Sequence, residues 1–320
     1  AVVLWDTGQR TEIRRFPIAS LVGRGHLAFL PDDTRLLVAS DRPTVSILSG
    51  PETKDVPLLL SAWEIASGKL AWQRPLFEPE TSQGRTFVVS PEGTRAVAAL
   101  PGGRFQVLDT QSGQDLVMVK ATAERVTALA FSPDGKIILS GAGYTDPVIH
   151  LWEAQQGTHL GSLEGHRSWV SDLVFSADGS QLLSASADQT IRIWNWATRQ
   201  PTGLLRGHLD SVMGLALFPD ARTLASHSKE SIYLWDLTKP SRHLGYRTLP
   251  TRLLPDSGTV FTPDNQSILG VEPGGGVALW DVQTLKESRR LWGDSTNHSV
   301  LAVAPDVSRV VRVGPEGRLH

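Results

Sequence analysis

The sequence predicts an all-β fold in which one four-stranded unit recurs along the whole chain. A strand end of the Leu-Trp-Asp type recurs at Leu4-Trp5-Asp6, Ala62-Trp63-Glu64, Val107-Leu108-Asp109, Leu151-Trp152-Glu153, Ile193-Trp194-Asn195, Leu234-Trp235-Asp236 and Leu279-Trp280-Asp281. A turn of the Pro-Asp-Gly type recurs at Pro31-Asp32, Pro91-Glu92-Gly93, Pro133-Asp134-Gly135, Ala177-Asp178-Gly179, Pro219-Asp220, Pro263-Asp264 and Pro305-Asp306. From the second turn onward, consecutive turns are 42, 44, 42, 44 and 42 residues apart. A fixed period of about 40 to 45 residues predicts a propeller of four-stranded antiparallel blades.

Residues 158–196 show how one unit is built. Short runs of alternating apolar residues predict strands at His159–Leu163, Val170–Phe175, Gln181–Ala185 and Thr190–Trp194. Turn residues separate these runs, and no segment keeps a helical period. The unit is therefore predicted to be entirely β.

The Gly-His pair, the Trp-Asp-type strand end and the Asp between them carry a resemblance to the WD-repeat family. The resemblance covers essentially the whole chain and is strongest from about Val126 to Asp281. It implies that each repeat supplies the outer strand of one blade and the three inner strands of the next. It also implies a buried hydrogen-bonded network formed by His166, Ser184, Asp188 and Trp194. Such a network makes physical sense because a buried Asp and a buried His are costly unless they are paired.

The neighbouring repeats carry incomplete versions of this network. The preceding repeat has Ser140, Asp146 and Trp152, but Thr122 stands where the His is expected. The following repeat keeps His208, Ser226 and Trp235, but it has Lys229 at the Asp position. The first, second, sixth and seventh units lack most of the network, and we expect those blades to depend on apolar packing and on hydrogen bonds between strands.

Seven turns predict a seven-bladed propeller that forms a single domain over residues 1–320. The last turn, at Pro305, would place its Trp just beyond His320, so Leu4-Trp5 is expected to supply it. Residues 1–16 would then complete the last blade, and the N-terminal strand would close the ring and remove exposed sheet edges. Ala1–Val3 and residues 318–320 would share strand positions, and the sequence starts within the pattern without a Met. We therefore expect a piece of a longer chain.

Composition excludes several classes of function. The chain is 40% apolar and 20% charged, with a formal net charge of −2 and no cysteine. These values are ordinary for a globular protein, give no reason to expect nucleic acid or an anionic membrane as a partner, and exclude thiol chemistry. No apolar run is long enough to span a bilayer. We expect a cytoplasmic monomer without a cofactor.

We expect no enzymatic activity and no metal site. Gly165-His166 and Gly207-His208 lie one repeat apart without further ligands at metal-binding spacing. No Gly-x-Ser-x-Gly motif is present, and the runs Pro101-Gly102-Gly103 and Gly274-Gly275-Gly276 are predicted to be tight turns.

The position before the first inner strand suggests a binding surface, because the family resemblance implies that it faces the top of the ring. Trp169 occupies it in one blade, and the same count in the other blades gives Gly23, Gln83, Arg125, Ser211, Pro255 and Asn297. Trp and Arg are enriched at interaction hot spots. The predicted partner-binding residues are Trp169, Arg125, Gln83, Ser211 and Asn297, with Tyr144 and Arg167 from adjacent loops. In this hypothesis Trp169 faces solvent and its replacement by Ala leaves stability nearly unchanged; the alternative is that Trp169 packs over a neighbouring blade.

The expected function is a non-catalytic scaffold for a protein or peptide partner. The alternative is a regulatory or sensing domain of a larger signalling enzyme. Binding of nucleic acid or of a small ligand in a central channel has no support in the residues. The first interval between turns is 60 residues, and the excess between Ser40 and Leu58 is either a binding loop or a tolerated surface elaboration.

Overall fold

A computed structural model describes most of the chain. The described residues are 2–6, 11–16, 26–40, 58–76, 87–218, 222–229, 231–238, 243–247, 260–262, 267–271, 277–281, 284, 286–292, 300–303 and 309–313. The chain divides into two compact units. The terminal unit comprises Ala1–Glu80 and Thr251–His320, and the central unit comprises Thr81–Pro250.

The fold is all-β in the described residues. The strands are β1 (Val2–Asp6), β2 (Thr11–Phe16), β3 (His26–Phe29), β4 (Arg35–Ser40), β5 (Leu58–Glu64), β6 (Leu70–Leu76), β7 (Phe87–Val89), β8 (Arg95–Leu100), β9 (Arg104–Asp109), β10 (Asp115–Lys120), β11 (Val126–Phe131), β12 (Ile137–Ala142), β13 (Ile149–Glu153), β14 (His159–Leu163), β15 (Val170–Phe175), β16 (Gln181–Ser186), β17 (Thr190–Asn195), β18 (Pro201–Arg206), β19 (Gly214–Leu217), β20 (Thr223–His227), β21 (Ile232–Asp236), β22 (His243–Arg247), β23 (Val260–Phe261), β24 (Ser267–Val271), β25 (Val277–Asp281), β26 (Glu287–Trp292), β27 (Val300–Val303) and β28 (Arg309–Val313). The strands predicted for residues 158–196 are confirmed to within one residue at β14, β15, β16 and β17.

The described strands form seven four-stranded sheets, and all their pairings are antiparallel. In the central unit, four consecutive strands make each sheet: β7–β10, β11–β14, β15–β18 and β19–β22. In the terminal unit, β3–β6 and β23–β26 do the same. The third sheet of the terminal unit has the order β2-β1-β28-β27, in which Leu4 of β1 lies opposite Val311 of β28.

Period-two alternation decides how the sheets of the central unit pack. Successive side chains of a strand point to opposite faces of its sheet. On β12, Ile138 joins an apolar core with Phe105 of the β7–β10 sheet, whereas Leu139 joins the core that contains Leu173 of the β15–β18 sheet. A third core joins Ile193 to Leu215 of β19. Adjacent sheets of the central unit are therefore packed face to face through apolar side chains.

The terminal unit has a core of its own. Leu4, Phe16, Leu36 and Trp63 are buried together, and the rings of Phe16 and Trp63 meet edge to face at 5.9 Å. The Ser40–Leu58 insertion lies almost entirely outside the described residues, as do Gly274-Gly275-Gly276 and residues 318–320. The function of the insertion therefore stays a prediction.

Pro101-Gly102-Gly103 forms the turn between β8 and β9, as predicted. Gly102 and Gly103 have φ values of 68° and 69°, which is the left-handed region that favours glycine. A Cβ at Gly103 would lie 2.2 Å from the carbonyl oxygen of Thr122, so this position also requires the absence of a side chain. None of the described segments is a helix long and apolar enough to cross a membrane.

Candidate binding edge of the central unit

One edge of the central unit collects two kinds of loop. In an antiparallel four-stranded sheet, the loop that enters the first strand and the loop between the second and third strands emerge at the same edge. The described parts of these loops are residues 101–103, 121–125, 143–148, 164–169, 187–189, 207–213, 228–229 and 231, and we call them the loop edge. The loop edge contains five of the seven predicted partner-binding residues, namely Arg125, Tyr144, Arg167, Trp169 and Ser211.

Beneath the loop edge of the β15–β18 sheet, the four predicted network residues are hydrogen-bonded to one another. His166 Nδ1 lies 2.9 Å from Asp188 Oδ2, and His166 Nε2 lies 2.8 Å from Ser184 Oγ. Ser184 Oγ also accepts the indole N–H of Trp194 at 2.9 Å. The chain of contacts runs from the exposed loop to the buried Trp, so it couples the loop edge to the core of the sheet.

Asp188 also fixes backbone on both sides of the network. Its Oδ2 accepts the N–H of Arg167 at 2.9 Å, and its Oδ1 accepts the N–H and hydroxyl of Thr190 at 2.9 and 2.6 Å. Burial alone would raise the pKa of Asp188, but hydrogen bonds from His166, Thr190 and the Arg167 N–H outweigh it and hold that pKa well below its usual range. The carboxylate is therefore charged in the folded protein at neutral pH, and it holds the entering loop against the next hairpin.

The β11–β14 sheet ties the corresponding loops in a different way. Thr122 stands where the network His would be, and its buried hydroxyl has no hydrogen-bond partner among the described residues. Instead, Glu124 Oε1 accepts the hydroxyl of Thr145 at 2.6 Å and joins the two loops. The lower part of the network is kept, because Trp152 Nε1 donates to Ser140 Oγ at 2.9 Å.

The β19–β22 sheet keeps the lower part of the network but lacks a carboxylate at its top. His208 Nε2 lies 2.7 Å from Ser226 Oγ, which also accepts the indole N–H of Trp235 at 2.7 Å. His208 Nδ1 is buried and has no hydrogen-bond partner in the described part of the chain. Burial of the ring and the nearby His227 lower the pKa of His208 to about 4, against an opposing effect of Asp210. Protonation would create an N–H with no acceptor, so the ring stays neutral.

The connection between β20 and β21 is shorter than the one between β16 and β17, so Lys229 does not take the structural place of Asp188. Ser184 pairs with Arg192 across the β16–β17 hairpin, whereas Ser226 pairs with Tyr233, which makes the second connection one residue shorter. In that connection the Ser228 N–H donates to the carbonyl of Ser231 at 2.8 Å. Lys229 is exposed.

Trp169 is buried, so the prediction that it faces solvent is wrong. Its side chain is 4% exposed, and its ring lies 6.2 Å from that of Tyr144, which belongs to the neighbouring sheet. The alternative, packing over a neighbouring blade, describes this contact. Tyr144 is 67% exposed and lies at the surface in its place. Trp169 Nε1 is buried and has no hydrogen-bond partner within the described residues.

The other predicted binding residues are spread along the loop edge. Arg167 is exposed, and Arg125 and Ser211 are partly buried. Gln83 and Asn297 lie outside the described residues. Sequence reasoning missed Leu209, which is 88% exposed. The sequence does carry a signal for Leu209. An apolar residue follows Gly207-His208 directly, at the position where the preceding repeat has Arg167.

Tandem four-stranded antiparallel sheets with loop-to-core hydrogen-bonded networks define a β-repeat protein. The family model of the WD domain, G-beta repeat, matches residues 114–153, 157–195 and 199–236. This match identifies three WD repeats within residues 114–236 and supports the WD-repeat resemblance predicted from the sequence. The three matches start before β10, β14 and β18 and end with β13, β17 and β21, so each repeat spans the outer strand of one sheet and three strands of the next.

Proposed function

We propose that this chain is a binding platform whose loop edge captures a protein or peptide partner and carries out no chemistry. WD40 repeats generally mediate protein–protein interactions and are typically non-catalytic. The observation that supports this site is the exposure of Leu209 and Tyr144, at 88% and 67%, on loops that share one edge of the central unit. Large exposed apolar and aromatic side chains are the anchors that interfaces use.

The residues that pack beneath Tyr144 and next to Leu209 favour a binding role for these two exposed side chains. The Tyr144 ring rests against the buried ring of Trp169, so its position is set by packing between two sheets. His208, which precedes Leu209, is buried and bonded to Ser226. Anchors that are already held in place lose little conformational entropy on binding, and this raises affinity.

Arg167 would add a polar contact at the same edge. Its side chain is exposed while its backbone N–H is bound to Asp188, so the loop is fixed and the guanidinium is available. Arg is enriched at interface hot spots because it combines apolar contact with several hydrogen-bond donors. We therefore propose a partner segment with apolar side chains and a carboxylate or carbonyl for Arg167.

The same proposal includes a closed seven-bladed ring. Its support is the regular spacing of the turns, the seven four-stranded sheets of the described residues, and the pairing of β1 with β28. Such closure would remove the exposed edges that make sheets prone to aggregation.

Peptides selected from a random display library on the immobilised chain test the site. Affinities are then measured for the wild type, Tyr144→Ala and Leu209→Ala. Leu160→Ala is the matched control, because Leu160 is 52% exposed but starts β14, at the opposite edge of its sheet. We expect each loop-edge variant to weaken binding at least about tenfold while losing less than about 1 kcal/mol of stability. Peptides that bind all the variants equally, or that depend on Leu160, would exclude the loop edge as the site.

A further inference from the structure

A second site lies on the outer part of the β11–β14 sheet, where His150 of β13 and His159 of β14 meet. We propose that these two histidines bind one divalent transition-metal ion of the Zn²⁺ and Cu²⁺ class. Water or an external ligand would fill the remaining positions on the ion. The proposal does not depend on the binding function of the loop edge.

The spacing of the two ring nitrogens fits a shared ion. His150 Nδ1 and His159 Nε2 are 3.4 Å apart, and the ring centroids are 5.4 Å apart with an interplanar angle of 56°. Two nitrogens bound to one tetrahedral Zn²⁺ at about 2.0 to 2.1 Å lie about 3.3 Å apart. An ion can therefore enter between the rings with little rearrangement of either side chain.

Asp146 prepares His150 for this role. Asp146 Oδ2 lies 2.9 Å from His150 Nε2, so the neutral ring carries its proton on Nε2 and donates it to the carboxylate. The lone pair is then on Nδ1, which faces His159. A carboxylate that accepts the second N–H of a metal-bound histidine fixes its tautomer and makes it a stronger ligand.

The equivalent positions in the next two sheets have other uses. His150, Arg192 and Tyr233 lie opposite Ser140, Ser184 and Ser226, respectively, at one register position of three consecutive sheets. The Arg192 guanidinium donates to the carbonyl of Gly165 at 2.6 Å, and the Tyr233 hydroxyl donates to the carbonyl of Gly207 at 3.0 Å. His150 instead faces Asp146 and His159, so the side chain at this register position can serve as a metal ligand.

His159 is held in place on the edge strand by packing. Its ring lies 4.8 Å from that of Trp152, while the residue as a whole is exposed. The register of β13 against β14 shifts between Leu151 and Trp152, so that His159 pairs with Trp152, two residues along β13 from His150. The site is therefore open to solvent and needs no opening step.

The chemistry of the donors selects the class of ion. Imidazole nitrogens suit Zn²⁺, Cu²⁺ and Ni²⁺, whereas Mg²⁺ and Ca²⁺ prefer oxygen ligands. In the part of the chain that the structure describes, no group of three or more His, Cys, Asp or Glu is arranged to hold a metal. The proposed site thus has two protein ligands, and its affinity is lower than that of a complete metal centre. It departs from the expectation of no metal site, which considered only the Gly-His pairs.

Calorimetric titration of the intact chain with ZnCl₂ and CuCl₂ tests the proposal. We expect the wild type to bind one equivalent that His159→Ala binds at least about tenfold more weakly, and Asp146→Asn to weaken the same event about tenfold. Leu160→Ala, on the same strand, should bind like the wild type. An isotherm that is identical in the wild type and His159→Ala would overturn the site, and an unchanged Asp146→Asn would overturn the role given to Asp146.

Nitrogen NMR of the histidine side chains provides a readout that a purely structural role would not change. Zn²⁺ should shift His150 Nδ1 and His159 Nε2 and leave both nitrogens of the buried His166 in place. Shifts confined to other histidines would reject the pair as the ligands. Circular dichroism of each variant confirms that the fold is retained, which is expected because His159 is exposed.

Discussion

His166 Nδ1 lies 2.9 Å from Asp188 Oδ2, whereas Nδ1 of the equivalent His208 is buried without a partner among the described residues. Each ring places its Nε2 beside a serine hydroxyl that also accepts a tryptophan N–H. The two networks therefore differ at one link, the one that joins the entering loop to the next hairpin. In the sheet before them, Glu124 and Thr145 make a substitute for that link.

Asp188→Asn should destabilise the protein through this link. The amide loses the charge that His166, Thr190 and the Arg167 N–H stabilise, and it presents a donor group where a donor already points. Hydrogen bonds to a charged group contribute about 1.5 to 3 kcal/mol, so we expect a loss of about 2 to 3 kcal/mol. Thermal unfolding should show a midpoint lower by roughly 3 to 5 °C.

Asp178→Asn is the matched control for this change. Asp178 also accepts hydrogen bonds from two serines, Ser176 and Ser180, and these bonds lower its pKa to about 2. Its side chain lies on an exposed turn, where water can replace the lost contacts. We expect a much smaller change in midpoint, and equal losses in the two variants would show that the buried link has no special weight.

The stability of the protein should fall between pH 6.5 and pH 4 because of His208. Its pKa is about 4 in the folded state and about 6.5 when unfolded, so in this window only the unfolded state takes up the proton. The contribution of the neutral His208 ring to the free energy of unfolding is complete above pH 6.5 and is lost as the pH falls towards 4. At about 1.4 kcal/mol per pKa unit, the loss is on the order of 3 kcal/mol.

Urea unfolding of the wild type and His208→Gln at several pH values measures this effect. The variant should lack the slope between pH 6.5 and pH 4. Asp188, whose folded-state pKa is lowered, contributes stability that is lost only below about pH 4, so the two effects occupy separate windows. Parallel curves for the two proteins in the upper window would assign the slope to other groups.

The sequence predicted well where the signal is local. Alternating apolar residues and turn residues act over five or six positions, and β14 to β17 were found to within one residue. The family resemblance also placed His166, Ser184, Asp188 and Trp194 in one network, because all four residue types are present at the expected spacing. The structure connects all four residues through hydrogen bonds.

The sequence failed where a contact joins different repeats or replaces a missing residue. Trp169 is buried and its ring packs against that of Tyr144 from the neighbouring sheet, and no period in the sequence records that contact. Glu124 compensates for the missing His by pairing with Thr145, a residue with no counterpart in the expected network. His150 and His159 lie on different strands, so their contact depends on the register between β13 and β14.

Asp172→Ala should destabilise the packing of two neighbouring sheets. Asp172 is 1% exposed, and its carboxylate accepts the N–H of Leu173 and, on β19 of the next sheet, the N–H of Leu215, both at 2.9 Å. Removing the carboxylate leaves two buried donors without this acceptor. Each unsatisfied donor costs about 1 to 3 kcal/mol, so we expect a total loss of about 2 to 6 kcal/mol.

Chemical denaturation of Asp172→Ala and Ser171→Ala separates this effect from a general cost of truncation at β15. Ser171 is equally buried and donates its hydroxyl to the carbonyl of Val212. Its loss frees one acceptor, which is tolerated better than a free donor. We expect the Ser171 variant to lose less than half as much as the Asp172 variant, and the reverse order would show that Leu215 does not depend on the carboxylate.

Trp169→Phe and Trp169→Ala should behave very differently, because the residue is a packing element with an unused polar atom. Phe keeps most of the ring that touches Tyr144 and removes the buried Nε1, which has no partner in the described residues, so its stability should stay within about 1 kcal/mol of the wild type. Ala leaves a cavity and should cost about 3 to 5 kcal/mol. Tyr144→Ala, which removes an exposed ring, should cost less than about 1 kcal/mol. Urea denaturation of the three variants measures these differences, and a stable Trp169→Ala would restore the solvent-facing Trp that the sequence had suggested.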